Sequence, residues 1–202
     1  MLISFEGIDG SGKSTQIQLL KNKLIEQGIE VQVLREPGGT DISELIRGIL
    51  LNPEIEIDPI TELLLFSSAR SQLIAEKVKP LLEKHAVVIL YRFYDSTTAY
   101  QGYGRGSLPL SQVQQINQIA SHGIAPDITF YLRLSVEKSS ERRIHMQKDR
   151  MEQSGVEFFN KVVHGFDELA KSENRFKTID ASSSIEEIHA EIMSYITLKL
   201  VR

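Results

Sequence analysis

The chain has 202 residues, 41% of them apolar and 25% charged, with a net charge of −4. That length suits one α/β domain with a substantial core and is short for two, and the acidic balance argues against a broad nucleic-acid surface. Cysteine is absent, so there is no disulfide or thiolate metal site. No apolar run approaches the roughly 18 residues of a membrane span, and the start lacks a signal-peptide pattern. The expectation is a cytoplasmic protein made without processing.

Residues 2–5 read as a buried strand. Directly after them, Gly7-Ile8-Asp9-Gly10-Ser11-Gly12-Lys13-Ser14 fits the phosphate-loop pattern G-x-x-x-x-G-K-[ST]. Glycines let successive backbone N–H groups turn inward around an anion. Lys13 then reaches the β- and γ-phosphates, and the Ser14 hydroxyl is placed to ligate Mg²⁺. Next comes a helical pattern with Ile17, Leu20 and Leu24 on one face, its N-terminus toward the phosphates. Gly28 is placed to end it. The alternative, a glycine-rich turn without a ligand, is weakened because a chance match in a chain this long has a probability of about 1%. The pattern therefore implies nucleoside triphosphate binding.

Further strands are expected at 30–34, 86–90, 128–132 and 176–179, and one long helix at 61–82, with Pro59 near its start and Pro80 near its end. In the last helix Ile185, Ile188, Ile192 and Ile196 share a face, and Ser183 or Ser184 caps it, with Glu186 and Glu187 three residues on. Strands alternating with helices imply a mostly parallel sheet covered on both faces, with ligands at the carboxyl ends of the strands. Three chemistry-bearing segments fall there. They are the phosphate loop, Arg35-Glu36-Pro37-Gly38-Gly39-Thr40, and the run from Tyr91 to Gly102. Each alone also reads as a turn or as core; three on one rim point to a site.

The stretches Phe5-Glu6-Gly7-Ile8-Asp9-Gly10-Ser11-Gly12-Lys13-Ser14-Thr15-Gln16 and Arg35-Glu36-Pro37-Gly38-Gly39-Thr40 resemble thymidylate kinases. So do Glu62 to Arg70, Arg92 to Gly102, and Asp149-Arg150-Met151-Glu152 with Phe158-Phe159. The likeness runs along nearly the whole chain, in order, and is to the bacterial type. It implies a single nucleoside monophosphate kinase domain over 1–202, of the P-loop kinase fold. A five-stranded parallel sheet would carry helices on both faces and a basic lid at about 143–154. It further implies phosphoryl transfer from ATP to dTMP with Mg²⁺, and a homodimer, with no nucleic-acid or membrane partner.

Residue roles follow by motif position. Gly7 to Thr15 would bind ATP, with Ser14 the metal ligand. Asp9 matches a carboxylate near the acceptor, Phe66 the ring stacked on thymine, and Arg70 the donor to a base carbonyl. Arg92 matches the arginine on the acceptor phosphate. Ser96 and Thr97 would line the base pocket, Tyr100 and Gln101 the sugar wall, and Glu36 and Pro37 the side near the thymine methyl. Ser11 is the small loop residue that leaves transition-state charge to lid cations, foremost Arg143 and Arg150 with Lys148 auxiliary. Lys13, Asp9, Arg92, Arg143 and Arg150 form the expected catalytic set.

One position departs from the family. Tyr91 stands where aspartate usually precedes the arginine, and tyrosine is a poor Mg²⁺ ligand. Metal would then rest on Ser14, phosphates and water, with Asp9 or Asp95 acting through solvent. Two rival readings remain: a kinase of UMP/CMP type, and a nucleotide-binding module impaired by Tyr91.

Overall fold

Five parallel strands form one sheet in the order β2-β3-β1-β4-β5 in the computed structural model, which describes residues 1–145 and 149–199 and the backbone of Leu200. The strands are β1 (Leu2–Glu6), β2 (Val31–Arg35), β3 (Val87–Tyr91), β4 (Ile128–Arg133) and β5 (Phe176–Asp180). Each runs one residue past the end its apolar pattern marks, because the backbone ladder continues to Glu6, Arg35, Tyr91, Arg133 and Asp180 after the apolar signal has stopped. Those polar extensions form the rim that bears the site.

Both faces of the sheet are covered. On one, Leu2, Val88 and Leu90 pack with Leu73, Ile74 and Val78; on the other, Ile3, Phe5 and Ile89 join a larger core with Ile17, Leu20 and Leu24. Helix α1 (Lys13–Glu26) ends as expected: Gly28, at φ 77°, donates to Ile25 while Ile29 donates to Leu24. Helix α2 (Asp41–Leu51) is capped by the Thr40 side chain. The expected long helix is α3 (Pro59–Leu73), a π-helical turn at Ile74–Val78 and α4 (Lys79–Glu83). That turn lies just before Pro80, which has no N–H for the i→i−4 ladder.

After β3, the short α5 (Tyr94–Thr97) continues into a π-helical segment, Thr98–Gly104. Then come α6 (Leu110–Ala120), α7 (Val136–Arg142), α8 (Val156–Ser172) and α9 (Ile185–Leu200). At the start of α9, Ser184 and Glu187 cap each other reciprocally. Ile188, Ile192 and Ile196 are buried, whereas Ile185 in the first turn is half exposed. No helix among the described residues is long and apolar enough to cross a membrane.

Candidate active site

The phosphate loop occupies the bend between β1 and α1. Gly7 has φ 129°, and a Cβ there would stand 2.5 Å from the Leu132 carbonyl oxygen, so only glycine fits. Lys13 opens α1, and its Nζ donates to the carbonyls of Gly7 (3.0 Å) and Ile8 (2.9 Å). Burial and the neighbouring Arg92 guanidinium push its ammonium down to about 7. The loop therefore holds a lysine short of anionic partners, a condition that a polyphosphate relieves.

Arg92 follows β3 in the left-handed region, at φ 66°, a conformation costing about 1–3 kcal/mol for a non-glycine residue. One of its terminal nitrogens donates to the Gly7 carbonyl (2.9 Å) and to Ser96 Oγ (3.0 Å). The other donates to Asp9 Oδ1 (2.9 Å) and the Tyr100 hydroxyl (3.2 Å). Burial favours the neutral Asp9 carboxyl, but Arg92, Lys13 and Arg143 outweigh it and hold the group down at about 2. Tyr91 inserts its ring among the cations, with Lys13 Nζ 5.2 Å and the Arg92 guanidinium 6.0 Å from its centroid. Its phenol lies beside the Ser14 side chain, and burial raises its pKa. An aromatic face thus meets the two cations at the position where the resemblance led one to expect aspartate.

A cleft of about 190 Å³ opens beside this cluster, and all nine residues expected to bind the acceptor line it: Glu36, Pro37, Phe66, Arg70, Arg92, Ser96, Thr97, Tyr100 and Gln101. Arg70 is buried and braced. Its Nε donates to Glu36 (2.7 Å), and its terminal nitrogens to Thr97 Oγ1 (2.8 Å) and Asn117 Oδ1 (3.3 Å). Two of the five guanidinium N–H donors remain for a ligand carbonyl. Burial pushes Glu36 up to about 7 against the pull of Arg70, and its Oε1 has no partner among the described residues. A buried acceptor of that kind is completed by an N–H or O–H from outside the protein. The Ser96 hydroxyl, by contrast, is already engaged, donating to Glu6 (2.6 Å) and accepting from Arg92.

The lid cations separate. Arg143 lies over the phosphate loop, with its side chain 3.3 Å from where a Cβ on Gly10 would be, and it is ion-paired to Glu152. Arg150 is instead tied to the buried Glu62 (2.6 Å) and the Leu50 carbonyl (2.7 Å). Lys148 lies outside the described residues. Glu62 also receives Gln101 (2.9 Å) and Arg105 (3.2 Å), so Gln101, Arg105 and Arg150 share one anchor. Nothing in the periodicity of α3 distinguishes Glu62 from a solvated charge, and nothing in the apolar run of β1 marks the equally buried Glu6 at its end. Arg47, which also lines the cleft, carries no sequence signal of its own, while Met151 belongs to the stretch Asp149-Arg150-Met151-Glu152 but takes no role from it.

Asp95 does not serve a metal. Its carboxylate is buried and bidentate to Arg175 (2.6 and 2.7 Å), which corrects the expectation of solvent-mediated metal binding there. Among the described residues no group of three or more His, Asp or Glu could hold a metal ion. The remaining donors are the exposed Ser14 hydroxyl and the Asp9 carboxylate, a set that fits Mg²⁺ completed by phosphate oxygens and water.

Residues 5–192 match the family model described as Thymidylate kinase. The chain is 53% identical to the thymidylate kinase of Prosthecochloris aestuarii, over 95% of this chain and 91% of the relative. Identity to that of Chlorobaculum parvum is 51%, covering 96% and 94% of the two chains, and to that of a Thermoanaerobacter species 44%, covering 96% of each. The chain belongs to the thymidylate kinase family.

Proposed function

We propose that the protein transfers the γ-phosphoryl group of ATP to dTMP, giving dTDP and ADP, as a cytoplasmic homodimer. The observation that carries the reading is the cluster of Lys13, Arg92 and Asp9 between the phosphate loop and a cleft lined by all nine acceptor-binding residues. Phosphoryl transfer asks mainly for positioning and charge stabilisation, and this cluster supplies both.

The loop N–H groups and Lys13 hold the triphosphate, and Arg92 holds the acceptor phosphate through its planar fork. Asp9, ionised and already paired with Arg92, orients that fork and sits by the acceptor sugar. Phe66 stacks on the base, and Arg70, braced by Glu36, donates to a base carbonyl. Arg143 closes from above and excludes water; Arg150 joins when it exchanges Glu62 for phosphate. Ser14, with phosphate oxygens and water, would hold Mg²⁺, which would supply charge neutralisation on the triphosphate.

Ile42, Leu45 and Ile49 on α2 and Ile60 and Leu64 on α3 are exposed at helical spacing on two helices that pack together, which supports pairing of two copies. A coupled ADP-release assay over dTMP, dUMP, UMP, CMP and AMP tests the activity. The expected result is efficient turnover of dTMP and poor turnover of dUMP, since a methyl pocket gives about 1–3 kcal/mol of discrimination. Binding of dTMP without turnover would sink it.

A further inference from the structure

Glu6 ends β1, paired in register with Tyr131, and is fully buried. It stands one residue before the phosphate loop, yet both its oxygens are turned toward the segment that follows β3. Oε1 accepts the Phe93 backbone N–H at 2.7 Å, and Oε2 accepts the Ser96 hydroxyl at 2.6 Å. Ser96 Oγ in turn accepts from Arg92. The preceding residue, Phe5, accepts the Arg92 backbone N–H at 3.0 Å, and the following one, Gly7, accepts from the Arg92 guanidinium. Three consecutive residues of one strand end therefore grip the peptide before Arg92, the peptide after it, and its side chain. Between those grips Arg92 is held at φ 66°, where an arginine does not rest by preference.

We propose that Glu6 is a positioning residue that locks Arg92 in its left-handed conformation, so that the acceptor-phosphate arginine and the donor-phosphate loop are set from one strand end. The inference rests on the reading of Arg92 given under Proposed function. Glu6 touches no nucleotide; it acts through Phe93 N–H and Ser96. Burial and the adjacent Asp95 carboxylate push it up to about 8, and a carboxyl with either charge state can keep both bonds, so the device depends on hydrogen bonding more than on charge. Its effect must fall on the phosphate end of the acceptor, because Phe66 and Arg70, which serve the base, stand on α3 and make no bond to Glu6.

The test compares Glu6→Ala, Glu6→Gln and Arg92→Ala with the unaltered protein by KM for dTMP, KM for ATP, and the inhibition constant of thymidine, which has the base and sugar but no phosphate. Glu6→Ala is expected to raise the dTMP KM about tenfold or more, leaving thymidine and ATP within about twofold. Glu6→Gln, which can accept from Phe93 and donate to Ser96, should restore most of that loss. Equal weakening of dTMP and thymidine, or no change in a folded Glu6→Ala protein, overturns the proposal. Should Glu6→Ala not fold, Ser96→Ala carries the same readouts: loss of dTMP without loss of thymidine supports the proposal, and any other pattern overturns it. If Arg92→Ala leaves dTMP unaffected, the reading of Arg92 fails; if only the Glu6 variants are silent, the inference fails alone.

Discussion

At the scale of single residues, Lys13 stands apart from the other cations of the site: Arg92 holds Asp9 at 2.9 Å, whereas Lys13 reaches the same carboxylate only at 4.0 Å. With its ammonium near 7 in the free protein, Lys13 is largely neutral at pH 8. A bound triphosphate favours the charged form and raises that value. Binding is then strongest below the free-state value and weakens as pH rises through it, because the proton must be taken up on binding. Calorimetry of ATP binding at pH 8 in two buffers of different ionisation heat should show uptake approaching about one proton; no uptake would mean that Lys13 is already charged. Tyr91 gives a second expectation. Its ring lies against Lys13 and its phenol beside Ser14, so Tyr91→Asp places a carboxylate next to the hydroxyl proposed to hold Mg²⁺. The Mg²⁺ concentration for half-maximal rate should fall several-fold, and an unchanged requirement would show that Tyr91 costs nothing in metal binding.

Elements matter through the way irregular pieces are pinned to regular ones. The short α5 and its π-helical continuation carry Ser96, Thr97, Tyr100 and Gln101 into the cleft, and neither piece is long enough to be stable alone. They are tied to the residue just before β5 by the pair of Asp95 and Arg175, whose guanidinium also donates to Thr129 of β4 and faces the Tyr94 ring at 5.1 Å. Removing one member of such a buried pair leaves the other uncompensated, so Arg175→Leu should lower unfolding free energy by about 3–5 kcal/mol. Urea denaturation measures it, and a loss under about 1 kcal/mol would show that water replaces the pair. The strands were legible from apolar runs, and α1 and α9 from period and caps. Less legible were the π-helical segments, which share the side-chain pattern of an α-helix and are set by packing and by Pro80. Glu62 belongs to the same class: its importance comes from Gln101, Arg105 and Arg150, far away in sequence.

For the whole molecule, the exposed apolar residues of α2 and α3, Ile42, Leu45, Ile49, Ile60 and Leu64, mark the stripe expected to pair with a second copy. Leu45, 73% exposed at the middle of the stripe, should sit in a subunit interface; Leu45→Lys is expected to convert a dimer to a monomer in light scattering at micromolar protein. A wild-type monomer at those concentrations would sink the homodimer. The sequence by itself determined the phosphate-loop motif, the strand positions and the residues that line the cleft, because those follow from local backbone chemistry and from contiguous motifs. Tertiary structure alone decided what each charge faces: Asp95 turned to Arg175 and away from any metal, Ser96 consumed by Arg92 and Glu6, Arg150 parked on Glu62, and the Tyr91 ring set against Lys13. The physical reason is that a buried charge must be compensated, and its partners come from strands and helices that meet only when the sheet is assembled.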